Sequence, residues 1–183
     1  MSDTQSILQS HYQDTSRLDA RRRLHAKYST NTHGFFTWVF ERLHLAPTCQ
    51  VLEVGCGSGD LWLENRHRLP AGWTAILADL SVGMLTAAHR QLRPNGHTFR
   101  FVVQDAQALP FADGCFDAVI ANHMLYHVPN RPAAYAEFCR VLKPSGTLYA
   151  ATNSRSAMRG VGRTRPAFPP YPRGGTRGLS PDE

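Results

Sequence analysis

The stretch VLEVGCGSGDLW, residues 51–62, constrains the fold most. A strand-like apolar run reaches glycines at 55, 57 and 59 and then passes directly into a helical pattern. Glycine permits positive φ and close approach of main chain to a ligand, so this spacing marks a tight strand-to-helix bend. The same alternation continues along the chain. CQVLEVG, WTAILAD, TFRFVVQD, the start of CFDAVIANHML and TLYAATN read as strands. SGDLWLENRHRL, SVGMLTAAHRQL (Ser81 as N-cap) and RPAAYAEFCRVL (beginning near Pro132) read as helices, and KPSG reads as a turn. Strands separated mostly by helices imply a parallel sheet covered on both faces. Right-handed crossovers then give an α/β, Rossmann-like, doubly wound sheet of about five strands, with its ligand at the strands' carboxyl ends.

The flanks differ in character. Residues 1–46 are expected to form an N-terminal helical cap: a polar segment over 17–30, then FFTWVFERLHL (35–45), which sets Phe36, Phe40 and Leu43 at helical spacing before Pro47 ends it. Residues 47–156 hold the alternating domain, and 157–183 form an Arg/Gly/Pro-rich tail without periodicity, expected to be disordered. The net charge of +6 lies mostly in that end: residues 155–183 carry six arginines against Asp182 and Glu183. The body is nearly neutral, which argues against a nucleic-acid partner. No apolar run reaches the ~20 residues of a membrane span, and the N-terminus lacks a secretion signal's basic start and apolar centre, so a cytoplasmic protein is expected. Cys49, Cys56, Cys115 and Cys139 form no CxxC pair, so no metal site is expected and the thiols read as free.

The glycine bend narrows the ligand. A P-loop requires a Gly-Lys-Ser/Thr ending, absent here. A dinucleotide loop wants G-x-G-x-x-G, but Asp60 occupies the last slot, and a carboxylate at a helix N-terminus repels a pyrophosphate. Glu53 precedes the glycines, Asp79 closes the second strand and Asp105 the third. Asp79 is placed to accept hydrogen bonds from ribose hydroxyls and Asp105 to approach an adenine amino group. A nucleoside without phosphates fits all three.

At these residues the chain resembles the class I S-adenosylmethionine-dependent methyltransferases of the methyltransferase type 11 kind. VLEVGCGSGDLW, ILADLSVGML, VVQDAQALPFADGCFDAVIANHMLYHVPN and RVLKPSGTLYAATN carry the resemblance across residues 48–153. It implies S-adenosyl-L-methionine as cofactor. Gly55, Cys56, Gly57 and Gly59 would line its methionine end, with Glu53 supporting the loop or meeting the ammonium through water. Asp79 would hold the ribose, with Leu80 beside the adenine. Met84 would flank the adenine or pack, Asp105 and Ala106 would meet the adenine edge, and Asn122 would border the sulfonium. The reaction implied is in-line methyl transfer to a small-molecule acceptor. His123 and His127 are the candidates for a base where the nucleophile must lose a proton. The N-terminal segment, with Tyr28 and the aromatic helix, is a candidate lid.

The family's sheet has seven strands, and only five are legible here. The tail's composition is what an out-of-frame reading of a GC-rich gene yields, so the chain is expected to be frameshifted or truncated after ATNSRSAMR. The fifth strand would then be an apolar edge open to self-association. Two rival readings stand beside methyl transfer: an NAD-dependent oxidoreductase, and a non-catalytic remnant that only binds cofactor or a partner. Methylation of RNA bases is disfavoured, because NHML stands where an N-P-P-Y-type tetrad would be.

Overall fold

A central strand with apolar side chains on both faces must be covered twice, and β1 (Thr48–Val54) is such a strand. In the computed structural model, which describes residues 27–28, 33–93, 97 and 99–152, β1 lies in the middle of a five-stranded parallel sheet of order β3-β2-β1-β4-β5. The other strands are β2 (Gly72–Asp79), β3 (Phe99–Val103), β4 (Phe116–Asn122) and β5 (Leu142–Ala151). β1 pairs with β2 from Thr48↔Gly72 to Val54↔Ala78 and with β4 from Val51↔Ala118 to Glu53↔Ile120. The reversal of strand order beside β1 leaves a crevice at the carboxyl ends of β1 and β4.

Alternate side chains feed two cores. Val51, Ala75, Leu77, Ala118 and Ile120 pack with Leu61, Trp62, Leu85 and Leu92. Leu52, Val54, Ala78, Val119 and Ala121 pack with Phe138, Val141 and Leu125 on the opposite face. The first layer comes from helices α1 (Phe35–Phe40), α2 (Asp60–Glu64) and α3 (Val82–Leu92), the second from α4 (Arg131–Val141) and its preceding loop. α3 begins at Ser81, whose hydroxyl accepts from the Met84 N–H, as its sequence suggests. α4 begins at Asn130, whose Oδ1 accepts from the Ala133 N–H, with Pro132 in its first turn.

Three elements differ from their sequence patterns. α1 stops at Phe40 rather than running to Leu45, because the Arg42 and Leu43 N–H groups bond back to Val39 and Phe40 carbonyls in tight turns that bury Leu43. The helix expected over 58–69 is split into α2 and a 3-10 turn at Arg66–Arg68. The break is Asn65, fully buried, whose Nδ2 donates to the Leu61 carbonyl at 2.6 Å and the Phe36 carbonyl at 3.2 Å. KPSG is not a turn ahead of the last strand. The pairing jumps from Phe116↔Leu142 to Ala118↔Thr147, so this segment bulges within β5. Among the described residues no strand pairs with the other edge of β5. The tail over 157–183 and most of the 1–46 cap lie outside the described residues. Among those described, no helix is long and apolar enough to cross a membrane.

Asn65 also joins α1 to the domain. Its Oδ1 accepts from Arg68 Nε (2.9 Å) and Nη2 (2.7 Å), and Arg68 Nη2 reaches the Thr37 carbonyl. Replacing Asn65 with Ala removes these bonds and leaves buried carbonyls unsatisfied. Asn65→Ala is expected to cost about 2–3 kcal/mol, read as a lower urea midpoint at unchanged slope; an unchanged midpoint would show that α1 docks by its aromatic face alone.

Candidate active site

The glycine bend is fastened to the end of β2. The N–H groups of Gly55 and Cys56 both donate to the Ala78 carbonyl, at 2.8 and 3.1 Å. The Gly57 N–H donates to Asp79 Oδ2 at 2.9 Å, and the Ser81 N–H to Asp79 Oδ1 at 2.8 Å. Gly55 has φ 71°, and a Cβ there would lie 2.5 Å from Met124 Cβ, so both conformation and the neighbouring loop require glycine. Gly59, at φ 80°, precedes α2, and Asp60 opens that helix buried. Asp79 thus sits in the crevice with a backbone donor on each oxygen, Gly57 on Oδ2 and Ser81 on Oδ1. Burial raises its pKa, while the N–H groups of Ser81, Gly57 and Leu80 oppose the rise.

Glu53 forms the floor of the bend. It follows Val51 on the same face of β1 and is 2% exposed. The Trp62 indole Nε1–H donates to its Oε2 at 2.6 Å. Burial pushes the carboxyl up to about 8; the Trp62 N–H opposes this, Asp60 and Asp79 add to it, and the Asn122 amide opposes it. Asn122 ends β4, 8% exposed. Its Nδ2 lies near enough to favour the charged form of Glu53 but makes no hydrogen bond of normal geometry among the described residues. Cys56 shares this pocket, and burial together with Glu53 and Asp79 holds its thiol well above the ordinary value, so it is no nucleophile.

The remaining predicted residues line the same end of the sheet. Leu80 is 36% exposed beside Asp79, whereas Met84 is buried within α3. Asp105 lies two residues past the end of β3 rather than at it, and Ala106 beside it is buried. Asp105 is held by Gln107, whose N–H and Nε2 both bond its carboxylate and whose Oε1 accepts from the Asn130 N–H. Arg140 clamps the rest of this loop, donating to the carbonyls of Leu109 and Phe111 and twice to Glu137. His123 has φ 52°, held by its N–H to the Ala151 carbonyl at 2.8 Å, a conformation rare for a residue with a side chain. Its ring packs on Phe35 of α1 with centroids 4.6 Å apart. His127 lies in the 3-10 turn Leu125–His127, its ring against Tyr126. Tyr28, a lid candidate, is 66% exposed. Among the described residues no group of three or more His, Cys, Asp or Glu could hold a metal ion.

Sequence reasoning missed Trp62, Asn65, Phe35 and Arg140. Only Trp62 left a signal, as an indole one helical turn past a glycine bend that carries an acid.

The raised Glu53 carboxyl has a thermodynamic consequence. In the unfolded chain it titrates near its ordinary 4.5, so between about pH 5 and 8 the folded state holds the extra proton. Stability is therefore greatest below that window and falls as pH rises through it, by at most about 1.4 kcal/mol per pH unit for one proton. The raised Asp79 acts with the same sign. Urea unfolding between pH 5 and 8.5 should follow this decline, and Glu53→Gln should remove most of it; a flat wild-type profile would contradict the buried, uncompensated carboxyl.

Residues 52–150 match the methyltransferase domain family, more than half of the 183-residue chain. A demethylmenaquinone methyltransferase of Thermus thermophilus is 39% identical over 106 residues, covering 58% of this chain and 47% of its own. The methyltransferase GfsG of Streptomyces halstedii is 36% identical over 117 residues, covering 62% of this chain and 41% of its own. The solved structure of the BH2331 protein of Bacillus halodurans C-125 superposes with a TM-score of 0.59 at 27% identity, over 66% of this chain and 51% of its own. The chain spans somewhat less than half the length of these curated relatives. With the doubly wound strand order in agreement with that match, the chain belongs to the class I S-adenosylmethionine-dependent methyltransferases.

Proposed function

We propose that this chain binds S-adenosyl-L-methionine at the carboxyl ends of β1, β2 and β4 and serves methyl transfer to a small-molecule acceptor. The observation that carries this reading is Asp79: a half-buried carboxylate at the end of β2, bolted to the glycine bend, with lone pairs left on both oxygens. Two adjacent hydroxyls suit such a group, and a ribose supplies them. Gly55, Cys56, Gly57 and Gly59 bring bare main chain to the methionine end. Exposed Leu80 offers an apolar face for the adenine, and Asp105 and Ala106 its edge. Met84, buried in α3, supports that wall from behind. Asn122 offers its unsatisfied Nδ2 beside Glu53.

When bound, the cofactor supplies a methyl group on a sulfonium, already a good leaving group. The protein's part is to hold the acceptor in line and exclude water, and orientation of this kind contributes roughly 7–11 kcal/mol in favourable cases. His123 stands where the acceptor would enter, at the end of β4, and Phe35 fixes its ring. We assign His123 as the residue that orients the acceptor or takes its proton, with His127 as the alternative. Phe35, together with Met124 against Gly55, gives this mouth an apolar side. That suits an apolar acceptor of the class that the Thermus relative carries in its name.

Calorimetry with S-adenosylhomocysteine tests the cofactor assignment. The wild type should bind it and ignore NAD, while Asp79→Ala should weaken binding roughly tenfold or more for each charged hydrogen bond lost. Binding of NAD instead would favour the oxidoreductase. His123→Ala should leave that affinity within about threefold and lower turnover by roughly 10²-fold or more if the imidazole takes a proton. Cofactor binding without turnover on any acceptor would favour a binding remnant.

A further inference from the structure

Trp62 is the largest fully buried side chain in the described chain, yet its one polar atom turns to a carboxyl rather than to a main-chain carbonyl. An indole N–H donates only, so it meets Glu53 Oε2 as acceptor whether or not the carboxyl carries a proton. The groups facing Glu53 from the packed elements are Asp60 of α2, Asp79 of β2, the Cys56 thiol of the bend and the Asn122 amide of β4. Both neighbouring charges are negative, and among the described residues no basic side chain forms an ion pair with Glu53. The site therefore has one donor bonded to the carboxyl, the Trp62 N–H, and an amide beside it, but no cation to balance a carboxylate.

We propose that Trp62 is a positioning residue whose indole N–H holds the Glu53 carboxyl for the cofactor's ammonium group, and that binding this ammonium expels the Glu53 proton to solvent. This rests on the cofactor reading above and adds to it the means by which the charge is admitted. The Glu53 O–H bond breaks, its electron pair stays on the carboxylate oxygen and the proton leaves to buffer; nothing is oxidised or reduced. Before binding, burial and two neighbouring acids keep the carboxyl protonated at neutral pH. The arriving cation reverses that balance, and the Trp62 and Asn122 N–H groups stabilise the anion it leaves. Affinity for a ligand bearing the ammonium should then rise with pH, by up to about tenfold per unit, until the free carboxyl is itself ionised.

The test is calorimetry on the full chain at pH 7 in buffers of different ionisation enthalpy. S-adenosylhomocysteine should release close to one proton per protein. 5′-Methylthioadenosine, which lacks the amino-acid end, should bind with none. Glu53→Gln should abolish the release and flatten the pH dependence of affinity. Trp62→Phe should weaken binding several-fold and move the proton-release midpoint to higher pH, a shift that loss of packing alone does not produce. Should Trp62→Phe fail to fold, the Trp62 resonance of 5-fluorotryptophan-labelled protein, identified in Trp38→Phe and Trp73→Phe, provides a direct reading. It should titrate with a midpoint near 8 and move on addition of S-adenosylhomocysteine. Binding without proton release, or a Trp62 resonance constant from pH 6 to 9, overturns the coupling and leaves the cofactor reading standing. Failure of S-adenosylhomocysteine to bind overturns both.

Discussion

The fold turns on the attachment of one bend to one strand end. β1 is covered on both faces, so its polypeptide can leave the sheet only at its carboxyl end. There it must reverse into α2 without stranding buried N–H groups. The Ala78 carbonyl takes two of those donors and the Asp79 carboxylate takes the third. The same carboxylate takes the N–H of Ser81 at the start of α3. One side chain thus fixes the mouths of two successive strand-to-helix connections, and the crevice keeps its shape because both are tied to it. Substitution at 79 would accordingly act on loop geometry as well as on any ligand.

The sheet was legible in the sequence because its signals are local. A run such as VLEVG or DAVIAN states its own strand, and Ser81 and Asn130 state their own helix starts. The acids were legible for a related reason: Glu53 and Asp79 stand at fixed offsets from glycines or strand ends, and topology alone places them in one crevice. Helix lengths were less legible. Nothing in NRHRL announces that Asn65 will spend its amide on the Leu61 carbonyl and on that of Phe36, 29 residues before it, so that the ladder ends there. The bulge at KPSG depends likewise on a partner elsewhere, the register of β4.

The two sides of the crevice differ in how they are made. Around Asp79 the polar groups are fixed by main-chain bonds from Gly57 and Ser81. The end of β4 depends on His123, in a left-handed conformation, and on Phe35, which reaches it from before the first strand. Positive φ at a non-glycine residue persists only where surrounding contacts hold it, here the Ala151 carbonyl and the Phe35 ring. α1 is joined to the domain through Asn65 and Arg68, so the position of His123 is linked through α1 to a buried amide on the first helical layer. A change in how the N-terminal segment docks would therefore be felt at the histidine while the cradle around Asp79 kept its form.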